Sequence, residues 1–366
     1  VRIAIDATPL TCETGGIRRY VEELTRALAL QFPADEIFLL TDQPDWQLPE
    51  CLCEVPNVRA PRPEQQRFRG RWWSLGLPWA LARNRIDVFH GADFAVPYLP
   101  LRPSVLVVHD LSPWKKPPLR ALGAERVRSR TPHLLRLATM LLTPTRAIKR
   151  ELAEHFAIAS SKIAVTALAA RDDFQAVSGI DVTDWLRRHC GVCPPYLVAL
   201  ASSQPRKNLE RLLEAWQAAR RICPNLSLVC VGSFGDATIK RYGLDGLRIL
   251  GPMADQRLQL LLSRAVAFVY PSLYEGFGLP VLEAMQLGVP VITSQDAAIG
   301  EVAGSAALQV NATSTALLAR AIVEVAGNPR LQADLRAKGI QRSSQFSWRA
   351  TALLTRQTYV EAIRRF

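Results

Sequence analysis

A chain of 366 residues, 49% hydrophobic and 21% charged, is too long and too apolar for a disordered protein, and it can bury about two separate cores. No apolar run reaches the ~18 residues of a membrane-spanning helix; the nearest, 72–82, stops at Arg83. Lys and Arg number 45 against 33 acidic residues, a net charge of +12, which asks for an anionic partner without choosing among nucleic acid, lipid and anionic substrate.

In chain order, the first strand-like run is 2–6, and no basic-then-apolar leader stands before it, so neither a secretory signal nor a bilayer span is expected. Further runs follow at 36–41, 86–90, 104–109, 139–143 and 163–167, then at 196–201, 226–232, 247–250, 266–270, 289–294 and 306–310. Several, such as 105–108 and 228–231, are apolar at consecutive positions, as parallel strands covered on both faces should be. Between them, segments such as 18–30 and 209–222 place apolar residues three and four apart. Strand–helix alternation over the whole length predicts an α/β fold with parallel sheets. Twelve strands are too many for one doubly wound sheet, and the series breaks at 170–194. Arg171-Asp172-Asp173, a Ser178-Gly179 turn and Pro194-Pro195 interrupt it there. Two Rossmann-like, doubly wound domains are therefore expected, at 1–175 and 176–345. Each presents the carboxyl ends of its strands to a shared cleft, where ligands of such sheets bind.

The seven cysteines are odd in number and scattered. Cys51-x-Cys53 and Cys190-x-x-Cys193 have no His at ligand spacing, so reduced structural thiols are expected rather than a zinc site.

Chemistry concentrates in residues 270–288, Tyr-Pro-Ser-Leu-Tyr-Glu-Gly-Phe-Gly-Leu-Pro-Val-Leu-Glu-Ala-Met-Gln-Leu-Gly. A strand runs into a loop holding Gly276 and Gly278, and Pro280 suits the first turn of a helix. The glycines let backbone approach a ligand, and the helix start offers unpaired N–H groups to a phosphate. Glu275 lies in the loop and Glu283 about one turn into the helix, so both can face one ligand. Carboxylates repel phosphate and suit sugar or ribose hydroxyls. The bland alternative is a Gly-rich turn with a surface Glu and a second Glu favoured by the helix dipole.

The string Tyr274-Glu-Gly-Phe-Gly-Leu-Pro-x-x-Glu283-Ala-Met resembles the Glu-x7-Glu signature of retaining glycosyltransferases of family 4, which have the GT-B fold. The resemblance covers nearly the whole chain and is nearest to a bacterial mannosyltransferase-like branch that builds cell-surface polysaccharide, O-antigen and lipopolysaccharide. Asp6 and Gly15-Gly16-Ile-Arg18-Arg-Tyr20 resemble its N-terminal loop, and Val108-His109-Asp110-Leu its His-Asp motif. Pro205-Arg206-Lys207-Asn208-Leu resembles the basic motif that opens the first helix of the second domain. Phe346-Ser347-Trp348 resembles the start of a C-terminal helix, 346–366, that crosses back to the first domain.

That resemblance implies a set of roles. Lys207, aided by Arg206, stabilises the departing diphosphate. Gly15, Gly16, Asn208, Glu275, Gly276, Phe277, Gly278, Leu279 and Glu283 bind the donor with those two cations. His109 lies near the transferred sugar, and Asp110 orients it or meets the acceptor; Glu275 and Lys207 complete the catalytic group. A lone His ending an apolar strand is otherwise a structural residue. Retention is expected through front-face attack, with the departing phosphate taking the proton, in preference to double displacement. No metal and no cofactor are expected, since the class uses cations and helix dipoles on the diphosphate. Two positions depart from the family. An Arg common several residues before the Lys is missing from 199–204. A Gly common after the last strand of the first domain is missing from 165–170.

The expected partners are a nucleotide sugar, best read as GDP-mannose, and a saccharide acceptor, lipid-linked. The alternatives are rhamnosyl or glucosyl transfer from a dTDP- or UDP-sugar, then an epimerase or phosphorylase of the same fold. Last comes a non-catalytic binder of anionic surfaces. Residues 59–150 carry 18 basic and 5 acidic residues, with Arg67, Arg69 and Arg71 beside Trp72-Trp73, Lys115-Lys116, and Arg126, Arg128 and Arg130. An anionic inner membrane leaflet attracts such a segment by ~1 kcal/mol per cation, so a cytoplasmic enzyme docked peripherally on the membrane is expected. A solvated Arg-rich face is the alternative, and nucleic acid is disfavoured because no aromatic platform accompanies the charge.

Overall fold

The computed structural model describes residues 1–12, 15–43, 46–61, 70–115, 124–175, 181–202, 204–233 and 245–366, without the side chains of 124 and 126. Arg67, Arg69, Lys116, the Ser178-Gly179 turn and the Arg126 side chain thus lie outside the described residues. The chain packs as two compact units. One comprises Val1–Trp114, 124–168 and Ser347–Phe366; the other comprises 169–346 with Lys115.

The first unit is built on a seven-stranded sheet: β1 (Arg2–Asp6), β2 (Glu36–Leu40), β3 (Val58–Arg59), β4 (Val88–Gly91), β5 (Ser104–Val107), β6 (Met140–Thr143) and β7 (Ile163–Val165). Its order is β3-β2-β1-β4-β5-β6-β7, with every pair parallel. The second unit has β8 (Tyr196–Leu200), β9 (Ser227–Val231), β10 (Leu247–Leu250), β11 (Ala267–Tyr270), β12 (Val291–Ser294) and β13 (Leu308–Val310), ordered β10-β9-β8-β11-β12-β13. In each sheet the order reverses beside its first strand, leaving a crevice at the carboxyl ends of β1 and β4 in one unit and of β8 and β11 in the other. β3 has no counterpart among the expected runs. Its two residues, one buried and one exposed, carry no periodic signal.

Consecutive residues of the second sheet feed opposite cores. Tyr196 and Val198 join Val229, Val231, Phe268 and Tyr270 on one face. Leu197 and Ala199 join Leu228, Cys230, Ala267 and Val269 on the other, against Trp216. Period-two side chains buried on both sides produce the unbroken apolar runs of the sequence. In the first unit, Trp72, Trp73 and Trp79 pack against a core of Ala4, Phe38, Leu40, Leu77, Leu81 and Phe89. This stretch is packed helix.

The C-terminal helix Trp348–Arg365 starts where the Ser347 hydroxyl accepts from the Ala350 N–H at 3.2 Å. It packs on the helix Gly16–Gln31 and on the first sheet. Thr351 Oγ1 donates to the Ala167 carbonyl (2.5 Å), and Arg356 Nε to Asp35 (2.6 Å). No helix among the described residues is long and apolar enough to cross a membrane.

Candidate active site

In the second unit, the chain leaving β8 makes a short turn, Pro205–Lys207, and Asn208 then adopts a left-handed conformation (φ 56°) at the start of the helix Leu209–Arg220. Asn tolerates that region better than most residues. Its amide nitrogen donates to the carbonyls of Pro271 (3.1 Å) and Ala312 (2.8 Å), so this side chain holds the loops together. The loop leaving β11 is spliced to the same turn by the Leu273 N–H, which donates to the Arg206 carbonyl at 2.8 Å.

These two loops bring Arg206, Lys207 and Glu275 into one cluster at the switch point. Lys207 Nζ lies 2.8 Å from Glu275 Oε1 and 2.5 Å from the Tyr270 hydroxyl, which donates to the same carboxylate oxygen at 2.9 Å. Ser272 Oγ donates to it at 2.6 Å, and an Arg206 guanidinium nitrogen lies 2.6 Å from Oε2. Glu275 is only 8% exposed. Burial alone would raise its pKa, but Lys207 and Arg206 outweigh it and hold the carboxyl at about 2. The group is therefore an ionised acceptor compensated by two cations.

The helix Leu279–Gln286 begins at Gly278, whose φ of 95° suits glycine, with Pro280 in its first turn. Glu283 is 2% exposed within it, and its charge, like that of Glu275, disfavours ionisation of the buried Tyr270 hydroxyl. Gly276 is buried, Leu279 is buried, and the buried Phe277 packs edge-on against Phe346, with centroids 5.9 Å apart.

Asp296 was not among the expected site residues. It follows β12 and caps the helix Ala297–Ala303, accepting from the N–H groups of Ala298 (3.1 Å) and Ile299 (3.0 Å). Burial raises its pKa to about 6; the Glu275 charge adds to this, while N–H donors, including that of Glu275 itself, oppose it. An Asp directly between a strand and a helix was the available signal.

In the first unit, Gly15 and Gly16 open the helix Gly16–Gln31, with nothing within 4 Å of where a β-carbon would stand on either. His109 follows β5. Its Nε2 lies 2.8 Å from the Ala92 carbonyl, which can only accept, so Nε2 carries the proton. Its ring meets Tyr20 edge-on at 4.9 Å. Asp110 Oδ1 accepts from the backbone N–H (2.8 Å) and hydroxyl (2.6 Å) of Ser112, fixing the turn after the strand.

Two further groups stand here: Asp6, which the N-terminal resemblance included without a role, and His90, which the sequence reading missed. Asp6, at the end of β1, accepts from the Thr8 N–H (3.0 Å) and hydroxyl (2.7 Å). Burial raises it to about 6 against those donors, aided by the charges of Asp93 and Asp42. His90, fully buried in β4, is bracketed by the hydroxyls of Tyr20 (3.1 Å to Nε2) and Tyr359 (2.9 Å to Nδ1). Burial, helped by His109, pushes it down to about 3. It is therefore neutral, taking one hydroxyl hydrogen and giving one.

Among the described residues no three His, Cys, Asp or Glu side chains cluster as a metal site would require.

Residues 14–167 match Glycosyltransferase Family 4, and residues 194–328 match Glycosyl transferases group 1. The chain is 27% identical to the O-antigen chain mannosyltransferase B of Escherichia coli, over 98% of this chain and 99% of that one. It is 26% identical to the glycogen synthase of Mycobacterium tuberculosis, over 96% and 92%. Its fold matches the crystal structure of Anabaena Alr3699/HepE in complex with UDP and glucose, with a TM-score of 0.75 at 17% identity over 98% and 99% of the two chains. With one glycosyltransferase family matching each half and two doubly wound parallel sheets beneath them, the chain belongs to the family 4 and group 1 glycosyltransferases of the GT-B fold.

Proposed function

We propose that this glycosyltransferase moves mannose from GDP-mannose to a saccharide acceptor of a surface polysaccharide, with retention and without a divalent ion or other cofactor. The observation that carries the reading is the cluster of the partly exposed Arg206 and Lys207 with the buried Glu275, just before the helix Leu279–Gln286. Two cations and a helix N-terminus supply what a diphosphate leaving group needs, positive potential fixed before the bond breaks. The donor's diphosphate exchanges with Glu275 as the partner of Lys207 and Arg206, and the released carboxylate accepts hydrogen bonds from sugar hydroxyls. Before the donor arrives, Lys207 and Arg206 hold the Glu275 carboxyl at about 2, so the cluster meets the donor with an ionised acceptor. The acceptor hydroxyl attacks the face that the phosphate leaves, and the phosphate takes its proton.

Mannose is favoured by the names of the relatives. Besides the Escherichia coli protein, they include an O-antigen chain mannosyltransferase of Salmonella typhimurium, 26% identical over 70% of this chain. The acceptor is read as lipid-linked and the enzyme as peripheral on an anionic membrane, because residues 59–150 carry the whole charge excess.

A panel of GDP-mannose, UDP-glucose and dTDP-rhamnose, scored by thermal stabilisation and by hydrolysis, tests the donor. GDP-mannose is expected to give the largest rise in Tm. A clear preference for either other donor overturns the mannose assignment while leaving the transferase intact.

A further inference from the structure

The first unit carries a half-open cavity of about 260 Å³ apart from the groups described at the candidate active site, with only Asp93 touching both. Trp73, Phe94, Tyr98, Asp93 and Arg130 contribute to its wall, together with aliphatic side chains. The volume falls just below the ~300–1,000 Å³ of pockets that enclose drug-sized ligands, so it suits one sugar ring and not a nucleotide.

The wall is built with some strain. Phe94 has φ 46°, a left-handed conformation that an aromatic residue rarely adopts. Gly91, the last residue of β4, permits it: a β-carbon there would fall 1.7 Å from the Ala95 carbonyl oxygen, so any other residue would expel the loop. The Tyr98 N–H donates to the Trp73 carbonyl at 3.0 Å, which locks two of the aromatic residues to each other. Loop and cavity also join the switch point. The residue before Asp93, Ala92, receives the His109 hydrogen bond, and the charge of Asp93 reaches Asp6.

Aromatic faces with one carboxylate beside them suit a pyranose, whose C–H face packs on rings while its hydroxyls donate to oxygen. We propose that this cavity binds one neutral pyranose ring of the acceptor, packed on Trp73 and Tyr98, with Asp93 accepting from its hydroxyls and the exposed Arg130 at the rim. One acid and one base among the lining groups leave no net charge to select an ionised sugar. The identity of the sugar as acceptor rests on the transferase reading above; the cavity's affinity for a pyranose does not.

Methyl α-mannopyranoside, titrated into the full chain and followed by saturation-transfer NMR, tests the site. Wild type is expected to bind it at millimolar concentration, and Tyr98→Ala to weaken it by about tenfold. Asp93→Asn, which keeps the shape, should weaken binding severalfold and serves if Tyr98→Ala does not fold. Steady-state kinetics should show the acceptor KM rising by a similar factor in Tyr98→Ala, and far more than the KM for the nucleotide sugar. Wild-type affinity in both variants, or none in wild type, overturns the site. Tighter binding of mannose 6-phosphate or methyl glucuronide overturns its preference for a neutral sugar. If glycoside binding falls as expected but wild type consumes no nucleotide sugar, the cavity stands and the transferase reading fails.

Discussion

The two switch points occupy equivalent places in their sheets and solve opposite electrostatic problems. At the end of β11, Glu275 is buried between two cations and held at about pH 2, so the pocket is charged at every physiological pH. At the end of β1, Asp6 has only the neutral hydroxyl and amide donors of Thr8 among its named partners; burial leads its rise to about 6, and His90 nearby in the sheet is neutral. One topology thus carries an ionised carboxylate compensated by cations in the second unit and a carboxyl with a raised pKa and neutral donors in the first. The difference lies in the loops: a Pro-Arg-Lys turn follows β8, whereas a Thr-Pro turn follows β1. Sheet order decides where a ligand goes; two or three side chains decide which ligand it is.

Removing a cation tests the Glu275 cluster most severely. Lys207→Ala should lower transfer by about 10²–10³-fold, the usual effect of losing one fixed group that stabilises developing charge. Activity within a few-fold of wild type would show that the diphosphate is held elsewhere. The sites should also respond to pH with opposite slopes. Glu275 is depressed from its ordinary 4.5, so its contribution to stability is complete above that value and is lost as pH falls towards 2. Asp6 is raised from 3.8, so its contribution is complete at low pH and is lost as pH rises from about 4 through about 6. Asp6→Asn should therefore match wild type near pH 4 and exceed it at pH 7 by about 1–3 kcal/mol in urea unfolding. An equal difference at both pH values would mean that Asp6 ionises normally. The smallest effect is expected from Tyr359→Phe, which removes one buried hydrogen bond to His90 and should cost about 1–2 kcal/mol. A neutral outcome would show that His90 needs only Tyr20.

Much of this arrangement can be read along the chain, for reasons that also mark where reading stops. Parallel strands buried on both faces show as apolar runs, and Pro205-Arg206-Lys207 and Glu275 lie in short contiguous strings whose chemistry is local. Asp6, His90 and Asp296 are different. His90 sits among Val88, Phe89 and Gly91 with nothing nearby in sequence to satisfy its ring, and its partners are Tyr20 and Tyr359. Asp6 is defined by burial and by the charges of Asp42 and Asp93, none of which a local window shows. The cavity wall depends on a left-handed Phe94 over Gly91, a backbone property that the residue types do not announce.

The bond between Tyr359 and His90 also sets an order of events during synthesis. The two residues stand 269 positions apart. At ~5–20 residues per second the ribosome makes them roughly 15–50 s apart. Until then the β4 histidine lacks one of its two partners and the first sheet lacks the helix that covers it. The second unit, encoded in between, is complete before the first can close. A chain stopped before Trp348 would hold every residue of the second unit while the first still lacked its covering helix.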